Sequence, residues 1–307
     1  MRAAVVGTGW GRVHVHALRR SGAQIIAVCG APQDALRTKA FADEERVPLA
    51  LDDPRSVLDL DVDVVTVATP ARTHQDMLAL FQDVPLICEK PVVGVAGDLS
   101  RLPEGGAVTY INYAFPFLES AKVFTQALQR LGPPTRVHVE TAYDLALHFT
   151  GPEWFLEVAS HPLSLVVHLL GEPALLTGST TADPNDVTRL DLAVGDVEVR
   201  VISRHQPGLR GLRHTIQART SAGMLELTGA FHDGRPWRFE PVRLDGVPLN
   251  EGEWSPDDCW REANDRSIAA VLDAIRTNVT PEEAAASGLF TQWRAAAIDR
   301  CLQLALP

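Results

Sequence analysis

Arg2-Ala3-Ala4-Val5-Val6-Gly7-Thr8-Gly9-Trp10-Gly11-Arg12 opens the chain with an apolar run that breaks into a glycine-rich turn. Beyond it, Trp10, Val13, Ala17 and Leu18 recur at helical spacing to about Arg20. Strand, glycine turn and helix in that order form the arrangement that binds a dinucleotide. Glycines let backbone N–H groups approach a pyrophosphate, which the positive end of the helix attracts. The G-x-G-x-x-G spacing is incomplete, because its sixth position is Arg12 and the third glycine, Gly11, comes one residue early. A plain glycine turn in another α/β fold is the competing reading of this motif alone.

The next runs extend the pattern. Gln24 to Cys29 is nearly all apolar, as a strand buried on both faces should be. Where an NAD-binding unit places an acid to hold the ribose hydroxyls, this chain has Gly30-Ala31-Pro32-Gln33, and Asp34 starts the next helix. Arg37 and Lys39 can reach a 2′-phosphate, so NADP is expected over NAD, with solvated helix charges as the alternative. Val62 to Thr69 is another buried strand, closed by Pro70 and followed by His74. Leu86-Ile87-Cys88-Glu89-Lys90-Pro91 is an apolar run ending in a carboxylate, an ammonium and a proline. Pro91 keeps Lys90 out of a helix and at the carboxyl end of the strand, where open parallel sheets bind ligands. A solvated surface lysine is the competing reading. With Val108 to Ile111, the alternation of strands and helices predicts a doubly wound parallel sheet.

After Pro116 the pattern changes. Phe117 to Leu131 reads as a helix. Thr135 to Tyr143, Ala174 to Thr180, Val187 to Val194, Val197 to Ser203, Arg213 to Arg219, Gly223 to Leu227 and Trp237 to Val242 read as strands of a mostly antiparallel sheet. Helix returns at Asn264 to Thr277. Another is opened by Thr280-Pro281-Glu282-Glu283, which offers an N-cap, a first-position proline and a capping-box glutamate. The expected architecture is an N-terminal Rossmann domain over residues 1–115, followed by an α+β domain over 116–307 with a large open-faced sheet. A sheet with a face to bury predicts a homodimer or homotetramer through it.

The 307 residues are 46% hydrophobic and 22% charged, which suits globular domains with sizeable cores. A formal net charge of −11 disfavours nucleic acid or an anionic membrane as partner and leaves a small molecule. The four cysteines show neither disulfide nor metal spacing and read as small buried hydrophobes in a reducing compartment. No apolar run reaches membrane length and no signal peptide precedes Ala3, so a cytoplasmic protein without a bound metal is expected.

A second polar constellation lies in the apolar stretch from Glu153 to His168. On a helix, Glu157, His161, Ser164 and His168 form one stripe. A carboxylate one turn before an imidazole can orient it and raise its pKa, which suits a proton shuttle. Pro162 opens the alternative of a helix starting near Ser160, and a histidine packed at a domain interface is the bland reading.

Together these residues resemble the glucose–fructose oxidoreductase, inositol dehydrogenase and MocA family of NAD(P)-dependent oxidoreductases. The likeness rests on Gly7 to Gly11, Ala68-Thr69-Pro70 with His74, Glu89-Lys90-Pro91, Asn112 to Pro116 and Glu157 to Gly171, in matching order. It implies a dehydrogenase or reductase acting on a sugar, polyol or related cyclic alcohol. It implies Lys90 beside the nicotinamide and the substrate hydroxyl, with His161 transferring the proton and Glu157 orienting it. It further implies cofactor contacts from Gly7, Thr8, Gly9, Trp10, Gly11, Arg12, Gly30, Arg37, Ala68, Thr69, Pro70, His74, Glu89 and Lys90, and substrate contacts from Asn112, Tyr113, Tyr143 and Ser164. The chain departs from the family's pattern at Glu157, where an aspartate is usual, and at Ser164, where a second acid is common. Ala114 replaces an arginine, and Gly151 is all that remains of a glycine run. Alternatives left open are an imine or ketone reductase, which the Gly7 to Val13 turn also resembles, redox-assisted glycosidase chemistry, and a non-catalytic NAD(P)-binding sensor.

Overall fold

The computed structural model describes residues 1–144, 152–179, 187–256 and 258–303. The chain divides into two compact units, Met1–Tyr113 with Asn264–Ala296, and Ala114–Ala263 with Ala297–Pro307. In chain order, the elements to the end of the first segment are β1 (Arg2–Val6), α1 (Gly11–Arg20), β2 (Gln24–Cys29), α2 (Ala35–Glu44), β3 (Leu49–Leu51), β4 (Val64–Val67), α3 (His74–Leu80), β5 (Leu86–Glu89) and β6 (Thr109–Asn112). The second unit contributes α4 (Glu119–Leu131), β7 (Arg136–Tyr143), α5 (Pro152–Leu170), β8 (Ala174–Ser179), β9 (Val187–Val194), β10 (Val197–His205), β11 (Gly211–Thr220) and β12 (Gly223–His232). Four two-residue strands follow, β13 (Arg238–Phe239), β14 (Arg243–Leu244), β15 (Val247–Pro248) and β16 (Glu253–Trp254). The chain ends with α6 (Cys259–Thr277), α7 (Pro281–Ala286), β17 (Phe290–Thr291) and α8 (Gln292–Gln303).

The sheet of the first unit runs β17-β6-β5-β4-β1-β2-β3. Its pairs from β3 to β6 are all parallel, and β17 joins β6 antiparallel. This is the doubly wound Rossmann order, and it reverses direction between β1 and β4, where the loops leaving both strands open a crevice. The continuous apolar runs form it because β4, β5 and β6 are buried at every residue. Gly7 marks the crevice. Its φ is +113°, and a Cβ there would stand 2.4 Å from the Ala68 carbonyl oxygen, so only glycine lets the two loops pass. The capping box at Thr280 forms as expected: Thr280 Oγ1 accepts from Glu283 N at 3.2 Å, and Glu283 Oε2 accepts from Thr280 N at 2.8 Å.

Among the described residues, the second sheet holds ten strands, eight in the order β15-β14-β12-β11-β7-β10-β9-β8, with β13 attached to β12 and β16 to β13. Its pairs are antiparallel except β7 with β10, which run parallel. Burial alternates along β7, with Val137, Val139 and Thr141 turned inward. The opposite face carries ion pairs. Arg204 bonds Glu140 through Nε at 3.0 Å and Nη2 at 2.7 Å, and Arg136 reaches Glu198 at 2.7 Å. Arg200 reaches Asp191 at 2.7 Å.

Pro162 lies inside α5, so the helix begins well before Ser160. An interior proline costs about 3 kcal/mol. Burying Phe155, Leu156, Leu163, Leu165 and Val166 returns roughly 1.5–3 kcal/mol each, which outweighs it. Cys29, Cys88, Cys259 and Cys301 are buried thiols outside any disulfide, and burial pushes those of Cys29 and Cys259 up to about 12. Among the described residues, no helix is long and apolar enough to cross a membrane.

Candidate functional site

The glycine turn has the features an anion requires. Trp10 begins α1 without a side-chain cap, and no acid stands in the first turn, so the N–H groups there have no side-chain acceptor at the cap. A Cβ on Gly9 would meet nothing within 4 Å, leaving the turn open to the approach of a ligand. Gly11 sits 3.2 Å, measured from such a Cβ, from Val5 Cγ1 and lets α1 down onto β1. Thr8 is half-buried, and Trp10 is exposed. These residues fit a pyrophosphate. The Arg12 side chain turns away to α2: Nη1 donates to Glu45 at 2.7 Å, Nη2 to Glu44 at 2.5 Å, and the guanidinium lies over the Phe41 ring. Arg12 therefore holds α1 to α2 with its side chain.

At the end of β2, a Cβ on Gly30 would fall 1.9 Å from Thr38 Oγ1, so a side chain there must displace the Thr38 hydroxyl. Arg37 is exposed on α2, while Lys39 pairs with Asp43 at 2.7 Å. Asp52 and Asp53 lie close enough to β2 to add to the rise of the Cys29 thiol behind burial.

The loops after β4 and β5 are tied together. His74 is buried, with Nδ1 2.7 Å from the Pro91 carbonyl oxygen and Nε2 2.8 Å from that of Thr69. Both partners are acceptors, so the ring donates to both only with a proton on each nitrogen. Thr73 Oγ1 adds a bond to Thr69 Oγ1 at 2.7 Å. Ala68 is buried and Pro70 exposed. Lys90 follows β5 half-buried, and the Lys90–Pro91 peptide is cis.

Behind Lys90 runs a buried polar chain. The Glu89 carboxylate accepts from Asn112 Nδ2 at 2.7 Å and meets His14 Nε2 at 2.8 Å. Asn112 Nδ2 also donates to Asn264 Oδ1 at 2.8 Å, and Ser267 Oγ donates to Asn112 Oδ1 at 2.9 Å. Burial works to raise the Glu89 carboxyl. The His14 and Asn112 bonds and the Lys90 charge overcome it and hold the group below the usual carboxylate range. Asn112 thus has both ends of its carboxamide engaged within the unit. Tyr113 is 1% exposed and packs its ring edgewise on Phe290 at 4.9 Å.

In the second unit, α5 sets Glu157 and His161 one turn apart, both half-buried. The His161 ring meets Trp260 edge-on at 4.7 Å and lies 6.4 Å from His214, whose Nδ1 is 3.0 Å from Thr141 Oγ1. His214 is stacked on Trp237, and Trp237 on Trp260. Ser164 is buried and donates to the His161 carbonyl oxygen at 2.6 Å, so its hydroxyl serves the helix. Tyr143 lies at the end of β7 with its ring 5.7 Å from that of His205. Gly151 lies outside the described residues.

His14, Asn264, Ser267, Trp260 and His214 were absent from the sequence expectations. The signal for His14 was a polar residue on the stripe Gly11, His14, Val15, Leu18 that α1 buries. The others come from distant segments and leave no local spacing.

The fold and the open glycine turn define the first unit as a dinucleotide-binding Rossmann domain. Residues 1–104 match the model of GFO_IDH_MocA, an oxidoreductase family with an NAD-binding Rossmann fold. Inositol 2-dehydrogenase 1 of Saccharopolyspora erythraea is 32% identical over 183 residues, covering 55% of this chain and 54% of the relative. Inositol 2-dehydrogenase of Pseudarthrobacter chlorophenolicus is 37% identical over 112 residues, covering 34% of this chain and 32% of the relative. The matches thus span about half or less of those relatives. Two solved structures share the fold across both units. One is myo-inositol dehydrogenase from Lactobacillus casei in complex with NAD(H) and myo-inositol, with TM-score 0.73, 16% identity and coverage of 99% and 93%. The other is an oxidoreductase from Agrobacterium radiobacter in complex with NAD+, L-tartaric acid and magnesium, with TM-score 0.75, 15% identity and coverage of 98% and 94%.

Proposed function

We propose that the chain is an NAD(P)-dependent oxidoreductase transferring hydride between nicotinamide and a secondary alcohol or ketone of a sugar, polyol or related cyclic substrate. The observation that carries this is the open, uncapped glycine turn Gly7 to Gly11 on the same parallel sheet as Lys90 at the carboxyl end of β5. The inositol 2-dehydrogenases matched by part of the chain support a polyol as substrate.

The backbone of Gly7, Thr8, Gly9, Trp10 and Gly11 would hold the pyrophosphate, and Ala68, Thr69 and Pro70 would line the cofactor's path, with His74 bracing them from behind. A bound nicotinamide supplies the hydride acceptor or donor. Oxidising a secondary alcohol also requires a base at its oxygen and a cation to offset the negative charge that develops there. His161 is the proposed base, oriented by Glu157, and Lys90 supplies the charge. Titration with NADH and NADPH followed by fluorescence tests the cofactor, and absence of binding by either overturns the proposal. A panel of sugars and polyols followed by nicotinamide absorbance tests the chemistry.

NADP is the proposed form, supported by the exposed Arg37 and by the Thr38 hydroxyl that stands where a side chain at Gly30 would go. Asp52 and Asp53 near the end of β2 favour NAD instead. An Arg37→Ala variant that weakens NADPH binding while sparing NADH would decide for NADP. A non-catalytic NAD(P)-binding sensor is supported by the engagement of Asn112 and Ser164 inside their own units. Cofactor binding without turnover on the whole panel would favour it. A homodimer or homotetramer through the ion-paired face of the second sheet, in the cytoplasm, completes the proposal, and a monomer by sedimentation would refute that part.

A further inference from the structure

We infer that His14 is a positioning residue for Lys90, acting through Glu89, and that Glu89 serves as a buried counter-charge and not as a cofactor ligand. This rests on the role proposed above for Lys90. Glu89 is 9% exposed, and its recorded side-chain hydrogen-bond partners are His14 Nε2 and Asn112 Nδ2, both at the same oxygen. A carboxylate accepts from both at once, and bonds to an ionised acceptor are the stronger kind. His14 is fully buried, and its Nδ1 has no hydrogen-bond partner among the described residues. A buried ring that leaves one nitrogen unmatched is costly, so the bond made by the other nitrogen must outweigh that cost.

The geometry gives that bond a purpose. His14 sits on α1, the helix that begins at the glycine turn, and its partner immediately precedes Lys90. The chain of bonds continues from Glu89 through Asn112 on β6 to Asn264 and Ser267 on α6. The helix that would meet the pyrophosphate and the strand end that carries the ammonium are therefore joined by one imidazole. The titratable groups acting on Glu89 are His14 from α1 and Lys90 from its own segment. The partners from β6 and α6 are amides and a hydroxyl, none of which ionises. Without His14, Glu89 loses the bond that ties it to α1, and the Lys90 that follows it in the chain loses that anchor.

The chain has lysines only at 39, 90 and 122, so ¹³Cε-labelled lysine gives a spectrum in which Lys39→Arg and Lys122→Arg identify Lys90. The test compares the cofactor-free protein with His14→Leu, with His14→Gln, whose amide can still donate, and with Glu89→Gln. We expect His14→Leu to move the Lys90 signal at neutral pH while those of Lys39 and Lys122 stay put. Glu89→Gln should do the same with His14 still present, and His14→Gln should restore the parent behaviour. In turnover, His14→Leu should lower kcat on the order of 10²-fold, as a misplaced group does, with little change in the KM for cofactor and a shifted pH profile. If His14→Leu does not fold, Glu89→Gln alone decides. A Lys90 signal unmoved in every variant that folds, or a loss in His14→Leu of stability alone, overturns the inference. Failure of the parent to bind NADH or NADPH overturns the functional proposal instead, because the lysine spectrum needs neither cofactor nor turnover.

Discussion

The polar groups singled out in the two units are held in place by different physics. Lys90 directly follows Glu89, which belongs to a chain of directional hydrogen bonds from His14 through Glu89 and Asn112 to Ser267, all buried within one unit. His161 is surrounded by rings, with Trp260 edge-on at 4.7 Å and the stacked Trp237 and His214 behind. Hydrogen bonds fix position and charge together, because a carboxylate that loses a donor also changes its proton affinity. Ring packing fixes orientation and leaves the charge of an imidazole freer to change. A group that must keep one charge suits the first setting, and one that must exchange a proton suits the second.

Removing the two groups tests that contrast most sharply. His161→Phe keeps the ring contacts with Trp260 and removes the proton carrier. Turnover should fall by roughly 10²–10⁴-fold, with cofactor binding and thermal stability near those of the parent. A variant retaining most of its activity would remove His161 from the chemistry. Lys90→Met should cost roughly 10²–10³-fold in turnover while NADPH still binds by fluorescence. Lys90→Met also leaves Glu89 without its neighbouring cation, so it should unfold at lower temperature than the parent, an effect with no counterpart in His161→Phe.

What could be foreseen follows the same division. The glycine turn, the largely apolar β2, β4 and β5, and the capping box at Thr280 are local devices whose spacing carries their physics. The chain of bonds around Glu89 is not local: His14 is 75 residues from Glu89, Ser267 is 155 from Asn112, and no periodicity joins them. The resemblance implied a substrate contact for Ser164, where a second acid is common three positions after His161, yet that spacing also brings a serine hydroxyl to a helix carbonyl. Pro162 argued for a break, but the break would have exposed an apolar helix that the second sheet covers. The parallel pairing of β7 with β10 arises from long connections that composition does not encode.

Gly7→Ala attacks the first unit at its backbone. The new methyl would meet the Ala68 carbonyl oxygen at 2.4 Å with φ at +113°, so the loops after β1 and β4 must part. A destabilisation of about 1–3 kcal/mol by denaturant titration is expected, with a larger relative loss of cofactor affinity. Unchanged stability would show that the crevice is softer than the hydrogen-bonded chain beneath it.

The smallest effect lies on the polar face of the second sheet, opposite the face on which Thr141 meets His214. His138 at 3.8 Å and Arg204 at 2.7 Å draw the Glu140 carboxyl down to about 2, against the opposing effect of burial. Arg204, bonded through two nitrogens, is the closer partner. The folded-state value is depressed below the ordinary one of about 4.3. The stabilisation is therefore complete above pH of about 4.3 and is lost as pH falls toward about 2. Because the side chain is 26% exposed, solvent screens the pair, and Glu140→Gln should cost about 1 kcal/mol at neutral pH. The difference from the parent should shrink as acid protonates Glu140. A difference that persists through the acid range would mean that Glu140 holds β7 to β10 by shape and hydrogen bonding, as Asn112 does in the other unit, and not by charge.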